Sequence, residues 1–188
     1  MRGIHKDFFT QAIADEPDIA TIKSLIELGA NVNVRDACKF TALHLATDEQ
    51  LVRLLIENGA NVNARDMMRL TPLCFAATPQ IAQMLIDNGA DVNAHDICKQ
   101  TVLFCIQNPD IIQVLIDNGA DVNARDDFGE TALHIAVRER KVQKIKCLIK
   151  NSARVNIKSK SGCTPLDLAK SKQVQKLLIA AGAKNGIK

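Results

Sequence analysis

The chain has 188 residues, a net charge of +3 and 47% hydrophobic residues, a composition that excludes an intrinsically disordered protein. Aromatic residues make up only 3%, with neither Trp nor Tyr, so small aliphatic side chains must fill the core. No basic start precedes an apolar stretch, and no apolar run approaches the roughly 18 residues that cross a bilayer. We therefore expect a soluble protein of the cytoplasm, or of a host cytosol if it is a secreted bacterial effector.

One motif repeats along the chain with a period of 30 residues. It reads GANVNVRD, GANVNARD, GADVNAHD and GADVNARD at residues 29–36, 59–66, 89–96 and 119–126, and a degenerate fifth copy lies at 152–156. A fixed period in this range predicts stacked structural repeats instead of an enzyme core. Function is then expected on a surface that several repeats share.

Each interval between the motifs predicts two short antiparallel helices. In residues 36–65 the first helix is predicted to begin at Thr41, and the second at Thr47, which is spaced with Gln50 as a capping box. In residues 66–95 the N-cap Thr71 opens a helix from Pro72 to Ala77.

The second helix of residues 66–95 is predicted to begin at Thr78-Pro79 and to end at Gly89 in a left-handed conformation. The segment that follows alternates polar and small apolar residues, which predicts an extended finger or hairpin. Later intervals show the same starts at Thr101, at Asn108-Pro109 and at Thr131.

Two of these helix starts carry a family signature. Residues 41–46 read TALHLA and residues 131–136 read TALHIA, and each is followed by the repeated motif. They resemble the ankyrin repeat, whose signature is TPLHxA. The resemblance covers nearly the whole chain and implies an all-α ankyrin-repeat solenoid of stacked antiparallel helix pairs joined by hairpin-like loops. It implies one domain over residues 1–188, with approximate units 7–34 (N-terminal cap), 36–65, 66–95, 96–125, 126–158 and 159–183 (C-terminal cap).

Three hairpins depart from the family pattern. Lys39, Arg69 and Lys99 stand where the family commonly has glycine, whereas Gly129 and Gly162 keep it. These residues either adopt a left-handed conformation, at about 1 to 2 kcal/mol each, or the hairpin tips take another shape. We favour altered tips.

The tips themselves are mainly apolar and flanked by Lys or Arg. In the family such positions commonly contact partners, and regular stacking would align them as an apolar stripe edged by positive charge. The alternative is that they pack against adjacent hairpins and are largely buried. The candidate partner-binding residues are Ala37, Cys38, Lys39, Phe40, Met67, Met68, Arg69, Leu70, Ile97, Cys98, Lys99, Gln100 and Phe128.

Charge is unevenly distributed along the chain. Residues 1–137 contain 10 Lys+Arg against 19 Asp+Glu, and residues 138–188 contain 14 against 2. The basic region suggests an alternative function, binding of phosphate-rich ligands such as nucleic acid or an anionic membrane. No aromatic residue is interleaved for base stacking, so a solubilising cap or a landing site for an acidic protein is favoured. We expect a monomer, with head-to-tail association of copies as an alternative.

A second column comprises Arg35, Arg65, His95 and Arg125, each followed by an aspartate. It is either a ladder of cations for an acidic partner or, as we favour, a solvated network in which Asp offsets Arg.

For the cysteines and histidines we favour structural roles over chemical ones. The six cysteines form no CxxC pair or zinc-type cluster, so reduced thiols are expected. His44 and His134 are expected to bond backbone between repeats. No catalytic arrangement, cofactor-binding loop or metal cluster is recognised. We therefore predict a non-catalytic protein–protein interaction module, without a cofactor, that binds a partner protein through the apolar hairpin tips and the concave face.

The family resemblance also implies a modification. Ankyrin asparagines can be hydroxylated, and the pattern includes a leucine eight residues earlier; Asn63, Asn93 and Asn123 have Leu55, Leu85 and Leu115 at that spacing. The alternative is that each asparagine only bonds the turn.

Overall fold

Residues 2–187 are described by a computed structural model, which gives no account of the Arg2 side chain. The chain forms two compact units, residues 1–91 and 92–188. The first unit contains α1 (Arg2–Ala12), α2 (Ile19–Glu27), α3 (Ala42–Leu45), α4 (Glu49–Glu57), a 3₁₀ turn (Pro72–Phe75) and α5 (Pro79–Asp87). The second contains α6 (Val102–Cys105), α7 (Pro109–Asp117), α8 (Ala132–Arg138), α9 (Val142–Lys150), a 3₁₀ turn (Pro165–Leu168) and α10 (Lys172–Ala180).

The predicted all-α class is confirmed. Over residues 2–187 the sole β feature is an isolated antiparallel bridge between His95 and Thr101. Helix pairs follow one another in each unit as the repeat predicted. That all of residues 1–188 form one domain stays a prediction.

Polar N-caps set the starts of the longer, second helices. Thr78 Oγ1 accepts from the Ile81 amide at 3.1 Å, and Asn108 Oδ1 accepts from the Asp110 amide at 2.9 Å, as predicted. The predicted capping box of Thr47 with Gln50 is wrong. Asp48 is the N-cap, because its carboxylate reaches the Leu51 amide at 2.8 Å.

The first helix of each repeat is short. The predicted Pro72–Ala77 helix is only the 3₁₀ turn Pro72–Phe75. Chain reversal follows directly, since the Thr78 cap of the next helix lies three residues further on. In residues 126–158 the longer connection leaves room for α8, which spans Ala132–Arg138.

Second helices end as predicted. Gly89 has φ +86, and the next amide, Ala90 N–H, donates to Leu85 O at 3.0 Å. Ser152 holds the equivalent place in the degenerate motif, also with positive φ, at 66°.

The repeated asparagines join neighbouring repeats. Asn63 Nδ2 donates to Gly89 O at 2.8 Å, and Asn63 Oδ1 accepts from the Asp91 amide at 2.9 Å. In the second unit Asn93 and Asn156 bond the same way. In each case the asparagine side chain satisfies a carbonyl and an amide of the following repeat, both on exposed residues.

Near the two ends of the chain other groups take the place of the repeated asparagine. Helix α1 extends from Arg2 to Ala12, and His5 Nδ1 accepts the Asn31 amide at 3.1 Å. In the following repeat Asn33 Oδ1 accepts the equivalent bond from the Asn61 amide at 2.8 Å. At the other end, beyond the predicted boundary at 183, the Gly186 amide donates to Asp167 Oδ2 at 2.8 Å.

The core is aliphatic, as the composition predicted. In the first unit the second helices bury Ile22, Leu51, Leu55 and Leu85; in the second unit they bury Ile111, Leu115, Ile145 and Leu148. Phe8 is also fully buried and closes the N-terminal end.

Candidate functional site

The hairpin tips are residues 37–40, 67–70, 97–100 and 127–130, here called tips 1 to 4. An aspartate anchors each one. At tip 2, Asp66 Oδ1 accepts from the amides of Met68 and Leu70, both at 2.8 Å, and the Asp66 amide donates to Leu70 O at 3.1 Å. Asp36, Asp96 and Asp126 make the same bonds at the other tips.

These bonds correct the expectation of altered tips. Lys39, Arg69 and Lys99 adopt left-handed conformations, with φ of 64°, 66° and 62°, close to the 70° of Gly129. The cost of about 1 to 2 kcal/mol per residue is offset because the aspartate satisfies two tip amides at once. The tips therefore keep one backbone shape whether or not glycine is present.

Backbone bonds also link successive tips. In the first unit the Met67 amide donates to Cys38 O at 3.0 Å. In the second unit the Asp127 amide donates to Cys98 O at 2.9 Å, and the Lys160 amide donates to Phe128 O at 2.9 Å. The spacing of the tips within each unit is fixed by main-chain contacts.

The predicted partner-binding residues fall into two groups. The exposed ones are Ala37, Cys38, Lys39, Met67, Met68, Arg69, Ile97, Lys99 and Phe128. The half-buried ones are Phe40, Leu70, Cys98 and Gln100. Met67 is 60% exposed, Met68 47% and Phe128 65%.

The half-buried residues support the packing alternative at their own positions. The Phe40 ring lies edge-on to His44 and to Phe75, with both centroid distances at 5.4 Å. Gln100 Nε2 donates to the buried carboxylate of Asp126 at 3.1 Å. Such residues hold the tips together and leave less surface for a partner.

Of the three tip cations, Lys99 differs from the others. Its Nζ lies 3.1 Å from Asp127 Oδ1, and both side chains are largely exposed. Its charge is thus partly offset within the second unit. Lys99 therefore contributes less than Lys39 and Arg69 to the positive charge that edges the tips.

The histidines have the structural role that was predicted. Thr41 N–H donates to His44 Nδ1 at 3.1 Å, so Nε2 carries the proton and donates to Leu70 O at 3.3 Å. His134 repeats this with Thr131 and Cys163 O. Burial lowers the pKa of both histidines, which keeps the rings neutral near pH 7.

Two arginines of the arginine column, Arg35 and Arg125, bond backbone carbonyls. Arg35 Nη1 donates to Arg65 O at 2.6 Å, and Arg125 Nη2 donates to Lys158 O at 2.7 Å. The neighbouring aspartates are already engaged by the tip amides. The column therefore includes arginines that bond the backbone of the following repeat.

Up to residue 187, the basic side chains of this region are exposed, with the exception of one lysine. Lys144 is 1% exposed, and its Nζ donates to Phe104 O at 3.0 Å. Burial lowers the Lys144 pKa to about 8. Lys144 belongs to the basic region that suggests binding of phosphate-rich ligands, and its burial excludes it from such a site. Its exposed neighbours are Arg138, Arg140, Lys141, Lys146, Lys150, Lys158, Lys160, Lys170, Lys172 and Lys176.

Sequence reasoning missed the residues that act across repeats. Lys144 caps a carbonyl 40 residues earlier in the chain. Arg138 pairs with Glu130, whose side chain is mostly buried. The α9 sequence did contain a signal for the burial of Lys144. This lysine directly precedes Ile145 on the apolar face of the helix, where side chains are expected to be buried.

The other side chains give no chemical centre within the part of the chain described. No two of the six cysteines form a disulfide, and burial raises the pKa of Cys147. Residues 2–187 contain no group of three His, Cys, Asp or Glu side chains arranged to hold a metal ion. No helix in that range is long and apolar enough to cross a membrane.

Comparison with protein families identifies the repeated motif. The family model described as ankyrin repeats (3 copies) matches residues 9–96 and 102–188. No curated protein matches the chain.

Proposed function

Because the chain belongs to the ankyrin repeat family, whose members are generally protein–protein interaction modules, we propose that it binds a partner protein through its apolar hairpin tips. The family is typically non-catalytic, and the proposed role is non-catalytic as well. The anchors are the exposed tip residues Met67, Met68, Ile97 and Phe128, and Lys39 and Arg69 attract an acidic rim.

The observation that carries this proposal is tip 2. Met67 and Met68 are adjacent, large, apolar and about half exposed, on a backbone that the buried Asp66 holds in place. Because the backbone is already ordered, binding does not have to order it, and methionine side chains adapt to the shape of a partner. Phe40 and Leu70 are half-buried, so we do not propose them as anchors for a partner.

The test is affinity capture from a lysate with wild type beside Met68→Asp. A charge at this position should cost a desolvation penalty in the complex and reduce recovery of the bound protein by about tenfold or more. Recovery is measured by quantitative mass spectrometry.

Leu28→Asp is the matched control. Leu28 is 74% exposed at the end of α2 in the same unit, outside the tips, so this variant introduces the same charge on an exposed leucine elsewhere. Equal recovery of the same partners by wild type and Met68→Asp would contradict the tip proposal.

The phosphate-directed alternative stays a prediction for the basic region, with Lys144 excluded from it. A ligand whose binding survives Met68→Asp but collapses as salt rises would favour that alternative.

We also place the protein in a reducing cytoplasm, or in a host cytosol if it is a secreted effector, consistent with the absence of disulfides among its cysteines. Hydroxylation of Asn63, Asn93 or Asn123 stays a prediction. Each of these side chains accepts a backbone amide of the next repeat, which already gives it a structural role. Intact-mass spectrometry after exposure to the hydroxylase, with no added oxygen, would discard the modification.

A further inference from the structure

A groove in the second unit lies between tip 4 and the following hairpin, which contains Ser159, Lys160 and Ser161. Its volume is about 560 Å³, and Phe128, Glu130, Arg138, Ser159, Lys160 and Ser161 line it. This volume is in the range of sites that hold small ligands or a few side chains of a peptide.

Hydrogen bonds to main-chain carbonyls fix the two walls of the groove. The Lys160 amide donates to Phe128 O at 2.9 Å, and Arg125 Nη2 donates to Lys158 O at 2.7 Å. Gly129 allows this close approach, because a Cβ there would lie 2.7 Å from Arg125 Nη2 and 3.2 Å from the Lys160 nitrogen. The groove is therefore preorganised, and a ligand would not have to order it.

One wall is apolar and exposed. Phe128 is 65% exposed although its amide is held by Asp126 and its carbonyl by Lys160. An aromatic ring on a fixed backbone suits the burial of an apolar side chain from a partner.

The rest of the groove is cationic. The Arg138 guanidinium is held by Glu130, yet about half of the Arg138 side chain stays exposed, and Lys160 is exposed on the facing finger. The nearby carboxylates are already engaged: Glu130 pairs with Arg138, Asp126 accepts from the tip amides, and Asp127 pairs with Lys99. Four of the lining residues, Arg138, Ser159, Lys160 and Ser161, belong to residues 138–188, which contain 14 Lys and Arg against 2 Asp and Glu.

We propose that this groove binds an acidic peptide segment of the partner protein, with an apolar side chain against Phe128 and a carboxylate between Arg138 and Lys160. The inference rests on the proposed function in that both require a protein partner. A peptide fits better than nucleic acid because Phe128 offers a single ring, whereas single-stranded nucleic acid is bound by rows of stacking aromatics. The Ser159 and Ser161 hydroxyls, 2.8 Å apart, add polar contacts for a peptide backbone.

The test is selection of a displayed random peptide library on the full chain. Enriched peptides should combine Asp or Glu with an apolar residue. A synthetic copy of the most enriched peptide should bind Phe128→Ser and Lys160→Glu about tenfold or more weakly than wild type, measured by fluorescence anisotropy.

Lys172→Glu is the matched control, since it makes the same charge change at an exposed lysine of α10 that does not line the groove. It should leave the affinity within about twofold, because rim charges away from a contact are largely screened. Circular dichroism of each variant checks that it folds, and amide chemical shifts should change at Phe128 and Lys160 when the peptide is added.

Three results would overturn the proposal that the groove binds an acidic peptide. The first is enrichment of uncharged peptides, and the second is equal peptide affinity for Phe128→Ser and wild type. The third is that no peptide is enriched, while single-stranded DNA or anionic vesicles bind in a way that requires Lys160.

The failure of the groove proposal can be told apart from the failure of the tip proposal. Peptide binding lost in Met68→Asp but kept in Phe128→Ser would overturn the groove and support the tips. Peptide binding lost only in the groove variants, with lysate partners unchanged by Met68→Asp, would overturn the tips and support the groove.

Discussion

Thr101 and Thr131 occupy equivalent positions but differ in hydrogen bonding. Thr131 Oγ1 lies 2.9 Å from His134 Nδ1, whereas Phe104 stands in place of the histidine beside Thr101. Thr101 Oγ1 is buried without a hydrogen-bond partner. A buried hydroxyl without a partner retains its full desolvation cost.

This difference predicts opposite effects of one substitution. Thr101→Val should leave the free energy of unfolding unchanged or raise it by up to about 1 kcal/mol, because an unpaired hydroxyl is removed. Thr131→Val should lower it by about 1 to 2 kcal/mol. Urea denaturation followed by far-ultraviolet circular dichroism suits a chain that lacks Trp and Tyr. Equal losses in the two variants would show that Thr101 bonds in solution.

Lys144 predicts an unusual dependence of stability on pH. Its pKa is lowered from 10.5 to about 8 by burial, so between these values the unfolded chain binds more protons than the folded chain. Stability from this residue therefore rises as pH rises from about 8 to 10.5, by about 3 kcal/mol. Neutral Lys144 can still donate to Phe104 O, so the cap persists.

The measurement is the difference in unfolding free energy between wild type and Lys144→Met across this pH range, which cancels the titration of the cysteines. The difference should grow with pH in favour of wild type. Lys146→Met, at an exposed position of the same helix, should run parallel to wild type. Parallel profiles for Lys144→Met as well would contradict a lowered pKa.

At the scale of the element, the tips show how one side chain sets a loop. Asp66 binds two amides of tip 2, and that fixes Arg69 in a left-handed conformation. Arg69→Gly should raise the free energy of unfolding by about 0.5 to 1 kcal/mol, since strain falls by more than glycine adds in unfolded entropy.

Gly129→Ala is the converse change in tip 4, where φ is 70° and a Cβ would crowd the Lys160 backbone. It should lower the free energy of unfolding by about 1 to 3 kcal/mol. Equilibrium urea denaturation reports both values. Destabilisation by Arg69→Gly would mean that the arginine side chain contributes packing that outweighs the strain.

The elements also show which features were predictable. The N-caps Thr78 and Asn108 and the left-handed Gly89 were predicted, because they depend on neighbours within a few residues. The N-cap of α4 was wrongly predicted as Thr47 instead of Asp48. Both residues are good N-caps, and only the position of the Asp48 carboxylate in the structure distinguishes them. Tip shape was also wrong, because residue preference alone omits the bonds of the aspartate.

The candidate site was less predictable than the fold. Exposure of Met67 and Met68 follows from the repeat pattern, but the half-burial of Phe40 depends on Phe75 in the next repeat. Lys144 and the Arg138–Glu130 pair depend on tertiary contacts that charge composition does not reveal. A periodic sequence predicts which positions are equivalent, and neighbours in space decide what each position does.

For the whole molecule, two kinds of attraction, one electrostatic and one apolar, can join copies of the chain. Charge differs in sign between residues 1–137 and 138–188, and most charged residues in the described part of the chain are exposed. These charges can attract another copy at low salt. The exposed tips offer an apolar attraction, which salt does not screen.

We expect a monomer at about 0.15 M salt, where the Debye length is about 8 Å, and weak self-association near 0.01 M, where it is about 30 Å. Sedimentation velocity across this range measures the change. A Lys172→Glu and Lys176→Glu double variant should reduce the low-salt association, because both lysines are exposed on α10. Association that persists or strengthens at high salt, and disappears in Met68→Asp, would instead make the apolar tips a contact between copies.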